Sequence, residues 1–271
     1  MKKRILILGS TGMLGNAVTA YFANNSDYDV AATHRTAAVA FAKNSIAFDA
    51  LSTPLEALPV GFDYVINCIG IIKPFMAADP AGAIKINSLF PWELAAWCKA
   101  HDSRLIHITT DCVYSGKKGK YVESDPHDAL DDYGKSKSLG ECASEAMVLR
   151  TSIIGEEIHK NASLIAWAKS QKGKTVNGFS THRWNGVTTK EYAKICDKII
   201  RNNWYEAGRF HVFAKDDVTK LQMMEYFNER FQLGLTIQEK APEPVDRTMR
   251  TEKELCAKLE IPTVAQMVEE I

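Results

Sequence analysis

The sequence has no net charge, no metal-ligand spacing and no long apolar run. Lysine plus arginine and aspartate plus glutamate both total 33. Nothing in that balance calls for nucleic acid or an anionic membrane as partner. The seven histidines are scattered without HxxxH or HExxH spacing, and no metal site is expected. The six cysteines, Cys68, Cys98, Cys112, Cys142, Cys196 and Cys256, never form CxxC. They are expected to be reduced thiols in a cytoplasmic protein. No stretch approaches the roughly 20 apolar residues of a membrane span. The apolar run Ile5–Leu8 stops at Gly9, Ser10 and Thr11, shorter than the ~7 residues of a signal h-region. Internal repeats, low-complexity tracts and long charge runs are missing as well.

What remains is an ordinary globular composition. Of 271 residues, 46% are hydrophobic and 24% charged, enough for a packed core. The length suits one large α/β domain, or one domain with a small lobe. Lys3–Leu8 is a short apolar run that ends in glycine, as a buried parallel strand does. GSTGMLG follows, with Gly9, Gly12 and Gly15 spaced GxxGxxG. The first permits a tight turn, the second lets backbone approach a pyrophosphate, and the third lets helix pack on sheet. Leu14, Val18 and Phe22 give the next segment an apolar helical face. A helix starting there offers free N–H groups to phosphates. Dinucleotide binding through Gly9, Thr11, Gly12, Met13, Leu14 and Gly15 is therefore expected.

A second strand is predicted over Tyr28–Thr33. At its end, about 20 residues past the motif, an NAD site usually carries an acid. Here His34 and Arg35 stand instead. A cation suits a 2′-phosphate, so NADPH is favoured and NADH stays open. A third strand, Ile46–Phe48, ends at Asp49, which is placed to contact adenine. A fourth, over 62–70, ends in Cys68, Ile69 and Gly70, expected beneath the ribose and nicotinamide. A helical stretch opens at Asp79 and Pro80 and runs to Ala100. Pro91 must kink it or start a new segment, and Asn87 is a polar residue within it. The strand within 101–110 ends at Thr110. Beyond it, Tyr133 and Lys137 are four apart after an acidic run that starts a helix, so both leave one face. A neighbouring ammonium favours phenolate and lowers the tyrosine pKa from about 10.

In this order the pieces resemble the extended short-chain dehydrogenase/reductase superfamily. The carriers are GSTGMLG, VINCIG, Ile86–Asn87, the strand ending TTD, YGKSKSLGE and VLRTSIIG, over residues 1 to about 155. TTDCVYSG, YVESD and YGKSKSLGE together look most like the dTDP-4-dehydrorhamnose reductase family. The resemblance implies an α/β fold: a Rossmann-type doubly wound parallel sheet with a small C-terminal α/β substrate lobe. It implies domains over 1–155 and 156–271, with chain exchange between them left open. It implies reduction of a nucleotide-linked 4-keto-deoxysugar by NADPH. Thr110 would be the hydroxyl donor, Tyr133 the acid, and Lys137 its partner on the nicotinamide ribose, with Asn87 supporting them. Asp111 and Val113 would join the substrate site. A homodimer is left open.

The second half is less explicit. Asn161–Gln171 reads as a helix, and Asn161 falls where relatives place an asparagine near the substrate diphosphate. Within residues 174–189 the chain keeps the family's Val-Thr-Thr helix start but replaces its glycine- and proline-containing loop by STHRWNG, 180–186. Its Arg183 is a candidate phosphate clamp, and its Trp184 a candidate stacking platform. Arg247 lies in an extended loop pinned by Pro242 and Pro244, near the family's sugar-nucleotide arginine but without the following proline. Capping-box spacings occur at Thr188–Glu191, Thr251–Glu254 and Thr263–Gln266. Two alternatives stand beside the reductase. One is an epimerase or dehydratase retaining NAD, although a dehydratase's Asp–Glu pair is here Asp111–Cys112. The other is a cofactor-binding regulator without turnover.

Overall fold

The computed structural model describes residues 2–36, 43–158 and 163–271. Along the chain run β1 (Lys3–Leu8), α1 (Met13–Ala23), β2 (Tyr28–His34), β3 (Asn44–Ala47), β4 (Tyr64–Asn67), α2 (Pro80–Ile84), α3 (Phe90–Ala100), β5 (Arg104–Thr110), α4 (Asp132–Leu139) and β6 (Met147–Thr151). Then follow β7 (Ile153–Ile154), α5 (Leu164–Ser170), β8 (Thr175–Phe179), β9 (His182–Trp184), β10 (Val187–Thr188), α6 (Thr189–Arg201), β11 (Gly208–His211), β12 (Val218–Thr219), α7 (Lys220–Phe231), β13 (Thr236–Lys240), β14 (Val245–Asp246), α8 (Leu255–Leu259) and α9 (Val264–Glu269).

The chain forms two compact units. The first comprises Met1–Thr109, Leu130–Arg150 and Tyr192–Arg209; the second comprises Thr110–Ala129, Thr151–Glu191 and Phe210–Ile271. The first unit is built on a seven-stranded sheet of order β11-β6-β5-β4-β1-β2-β3. The pairs β1–β2, β1–β4, β2–β3 and β4–β5 are parallel. The order reverses between β1 and β4, the switch point at which a Rossmann sheet binds dinucleotides. Leu6 and Leu8 pack with Phe90, Leu94 and Cys98 in one core. Ile5 and Ile7, fully buried, alternate to the opposite face. A sheet buried on both faces explains why β1 reads as a continuous apolar run.

The helical stretch after residue 79 is three segments. Asp79 caps α2 by accepting from the Gly82 N–H at 3.0 Å. A π-type turn over Lys85–Leu89 follows, and Pro91 opens α3. Proline fits there because the first turn of a helix needs no N–H from it.

The second unit holds a three-stranded sheet, β12-β9-β14, and the parallel pairs β13–β8 and β10–β7. The predicted loop over 180–186 therefore contains one strand, β9, and is flanked directly by β8 and β10. Their pairing partners lie up to 63 positions away, beyond any local signal. Thr188 accepts from the Glu191 N–H at 3.1 Å and starts α6. Thr263 and Gln266 form a full capping box on α9. The third spacing fails: α8 begins at Leu255 with Glu254 as an uncapping neighbour. Thr251 instead donates to Glu123 and accepts from the Lys253 N–H. Among the described residues no helix is long and apolar enough to cross a membrane.

Candidate functional site

The turn after β1 forms a phosphate cradle. Gly9 has φ +82°, and a Cβ at Gly15 would fall 2.0 Å from the Gly9 carbonyl oxygen. Only glycine allows the helix to start this close to the strand. Thr33 pins the turn: its Oγ accepts from the Gly9 N–H at 3.0 Å, and its carbonyl accepts from Ser10 N–H and Oγ. Gly12 caps α1 with no side chain on the first-turn N–H groups, which leaves Met13 and Leu14 backbone donors for an anion. Thr11 is half-buried on the turn and Gly12 is exposed. At the end of β2, Arg35 is exposed and the His34 Nδ1 is buried without a protein partner. Asp49 closes a turn with its Oδ1 on the Leu51 N–H. These features fit a bound dinucleotide: an open helix start, a strand-end cation and an unsatisfied imidazole.

At the end of β4, Asn67 turns the chain by accepting from the Ile69 N–H at 3.0 Å. It also donates to His107 Nδ1 at 3.1 Å. This stops the predicted strand three residues early and sets Cys68, Ile69 and Gly70 in a loop. Burial pushes the Cys68 thiol up, away from nucleophilic use. Asn87 fixes the same loop from the π-type turn. Its Oδ1 accepts from the Ile71 N–H and its Nδ2 donates to the Ile71 carbonyl, both at 2.9 Å. A further bond joins Asn87 Nδ2 to Ser136 Oγ at 3.2 Å.

Ser136 lies on α4, between Tyr133 and Lys137. Asp131 caps this helix on the Gly134 N–H at 2.9 Å. Tyr133 is half-exposed and Lys137 is buried. Lys137 Nζ donates to the Ile108 carbonyl at 3.1 Å, and a Cβ on Gly70 would lie 3.9 Å from it. The structure thus brings Gly70, Asn87 and Lys137 together, with Tyr133 one turn before Lys137. Burial lowers the Lys137 pKa to about 8, opposed by Glu141 and Cys142. Burial, and then Lys137, hold His107 well below its ordinary range, so it is neutral. Two supports had no local sequence signal. One is the Asn67–His107 pair. The other is Glu141, whose oxygens take Arg150 Nε at 2.8 Å and Nη2 at 2.5 Å, all buried.

In the second unit, Thr110 Oγ donates to Asp111 Oδ1 and accepts from the Cys112 N–H, both at 3.1 Å. Three substrate expectations change. Val113 is fully buried with Tyr114 and Tyr121, so its side chain has no surface for a ligand. Trp184 is only 4% exposed, under the Lys220 ammonium, and packs rather than stacking on a base. Arg183 is exposed and pairs in register with Thr219 and Asp246, on the strand face opposite Trp184. Arg247 is half-buried, with Nε on the Tyr114 carbonyl at 2.8 Å. Asn161 lies outside the described residues. Among those described, no three His, Cys, Asp or Glu side chains group as metal ligands.

A family model described as "RmlD substrate binding domain" matches residues 2–266. The chain is 28% identical over 246 residues to methionine adenosyltransferase 2 subunit beta of Danio rerio, covering 85% of this chain and 75% of that one. It is 26% identical over 231 residues to dTDP-4-dehydrorhamnose reductase of Aggregatibacter actinomycetemcomitans, covering 77% and 72%. Its fold superposes on dTDP-4-dehydrorhamnose reductase from Bacillus anthracis, solved in complex with NADP. The TM-score is 0.79 at 16% identity, over 100% of this chain and 98% of that one. At that identity the likeness speaks to fold alone.

Proposed function

The chain belongs to the RmlD substrate binding domain family, and from that premise we propose that it is an NADPH-dependent reductase of a nucleotide-linked 4-keto-deoxysugar. The observation that carries this is the buried Lys137 ammonium one helical turn from Tyr133, beside Gly70 and Asn87. Relatives named as reductases, and one solved with NADP, support the chemistry and the cofactor. Gly9, Thr11, Gly12, Met13, Leu14 and Gly15 would hold the pyrophosphate. His34 and Arg35 would meet the adenosine end, and Cys68–Gly70 with Lys137 the nicotinamide ribose. When bound, the nicotinamide supplies a hydride.

The chain's own task is the proton. Reduction of a ketone leaves negative charge on oxygen, and Tyr133 is the proposed donor to it. Lys137, as a cation, lowers the cost of leaving phenolate behind. Thr110 is the proposed second donor; its hydroxyl now serves Asp111 and must rotate to bond a substrate oxygen. Asn87 positions rather than reacts, since its amide is spent on Ile71 and Ser136. Loss of one such donor costs about 100- to 1000-fold in rate. Tyr133→Phe should lose ketosugar reduction by that factor while NADPH affinity stays, read by NADPH absorbance and by titration. Undiminished turnover in that variant would refute the scheme.

A second reading, a cofactor-binding subunit without turnover, is favoured by the similarity to proteins named as a subunit of methionine adenosyltransferase. Failure of the wild-type protein to oxidise NADPH with any of a panel of ketosugars would favour it. Cys112 in place of a glutamate after Asp111 argues against a dehydratase.

A further inference from the structure

Two buried asparagine side chains clamp the backbone of the loop at Cys68–Gly70, and the clamps differ in one respect. At Ile71, Asn87 Oδ1 accepts from the N–H and Nδ2 donates to the carbonyl, so backbone sets both ends of that amide. At Ile69, Asn67 Oδ1 accepts from the N–H at 3.0 Å, but Nδ2 points away, to His107 Nδ1 at 3.1 Å. A backbone N–H only donates and a carbonyl only accepts. An imidazole nitrogen does either, according to where its proton sits. The second clamp therefore depends on the protonation of a side chain.

The bonds themselves decide that protonation. The Ile69 N–H is a donor, so the Asn67 oxygen faces it and the amide nitrogen faces His107. His107 Nδ1 must then accept, which puts the ring proton on Nε2. Asn67 and His107 are register partners on the parallel strands β4 and β5, and both are fully buried. Among the described residues His107 Nε2 has no hydrogen-bond partner, so the bonding of the ring is spent on Asn67. Burial, and then the charge of Lys137, keep the ring neutral. The same lysine donates to the carbonyl of the next residue, Ile108, at 3.1 Å.

The loop held in this way runs from the phosphate turn to Lys137. A Cβ on Gly9 would lie 2.9 Å from Ile69 Cγ1 and 3.4 Å from the Cys68 carbonyl carbon. One on Gly70 would lie 3.6 Å from Asn87 Oδ1 and 3.9 Å from Lys137 Nζ. Release of the Ile69 N–H loosens the stretch between these contacts. The Gly9 turn is pinned separately, by Thr33.

We propose that His107 is a positioning residue for the nicotinamide half of the dinucleotide: its Nδ1 lone pair orients the Asn67 amide, and that amide holds Cys68–Gly70 in place. It acts through Asn67, not by contact with the reacting groups. That the loop meets the nicotinamide ribose rests on the proposed reductase reading.

The tautomer and cofactor binding test this on the full chain. Nitrogen-15 NMR of the wild type should show His107 protonated at Nε2 alone, a measurement that needs no variant to fold. His107→Leu leaves a buried amide N–H without its acceptor, an effect worth about 10- to 100-fold where it falls on a ligand site. NADPH should bind that variant more weakly by this factor. His107→Asn offers an oxygen near the place of Nδ1 and should recover most of the affinity. Adenosine 2′,5′-bisphosphate lacks the nicotinamide ribose and should bind wild type and both variants alike, because Thr33 holds the Gly9 turn. A ring protonated at Nδ1 overturns the proposal. So does a folded His107→Leu protein that binds NADPH like wild type, equal weakening of both ligands, or a His107→Asn protein no better than His107→Leu. A wild type that binds no NADPH overturns it too. If the expected pattern holds in a wild type that reduces no ketosugar, His107 keeps its role and the reductase reading falls.

Discussion

Lys137 shows what the proposed chemistry costs. Its pKa falls from 10.5 to about 8 through burial. At about 1.36 kcal/mol per unit, that is on the order of 3 kcal/mol against folding with the lysine charged. The folded pKa lies below the unfolded one, so between about pH 8 and 10.5 the unfolded chain binds the extra proton. Stability contributed by this residue should therefore rise with pH across that window. Lys137→Met should raise the melting temperature at pH 7 while abolishing reduction, a pairing that calorimetry and assay can check. In the wild type, kcat/KM should fall as pH rises through about 8, because the phenol loses its cation. The tyrosine–lysine pair was legible because both partners sit within one turn. The Ile108 carbonyl, 29 positions away, was not. The burial of Trp184 and Val113 was not legible either: β9 pairs with β12, 34 positions on, and Val113 packs with Tyr121 as well as with its neighbour Tyr114.

At the level of elements, α4 is eight residues long, too short to hold its own position. It is fixed at both ends. Asp131 caps one, and beyond the other Gly140 lies so close to the π-type turn that a Cβ would sit 1.9 Å from the Asn87 carbonyl oxygen. Gly140→Ala should push α4 off this turn. Strain of that sort costs about 1–3 kcal/mol, visible as a lower urea midpoint together with reduced activity. The buried Glu141–Arg150 pair anchors the same end. Arg150→Met takes the buried guanidinium away from Glu141, whose carboxylate also faces the partly exposed Arg209 at 3.4 Å. Breaking a buried pair costs about 3–5 kcal/mol, and the denaturation midpoint should report it. β1, α1 and β2 were readable almost to the residue because apolar runs and glycines are local signals. Thr251 was misread because its hydroxyl serves a buried carboxylate rather than a helix start, a choice made by residue 123.

For the molecule as a whole, acid should act through that carboxylate. Burial alone would raise the Glu123 pKa. Bonds from Thr251 Oγ at 2.6 Å, the His211 N–H at 2.9 Å and the Glu252 N–H at 3.0 Å outweigh it and hold it below 4.5. A depressed folded pKa gives stability that is present above the unfolded value and lost as pH falls through the folded one. Glu123→Gln should flatten the acid limb of the stability curve measured between about pH 5 and 2. Both units are assembled from three separated stretches; the Rossmann half was legible because its motifs are short and local, whereas the strands of the second unit pair across as many as 63 positions. That assembly has a practical corollary. The polypeptide passes between the units after Thr109, Ala129, Arg150, Glu191 and Arg209. Neither unit can be severed by a single scissile bond or expressed as one colinear fragment.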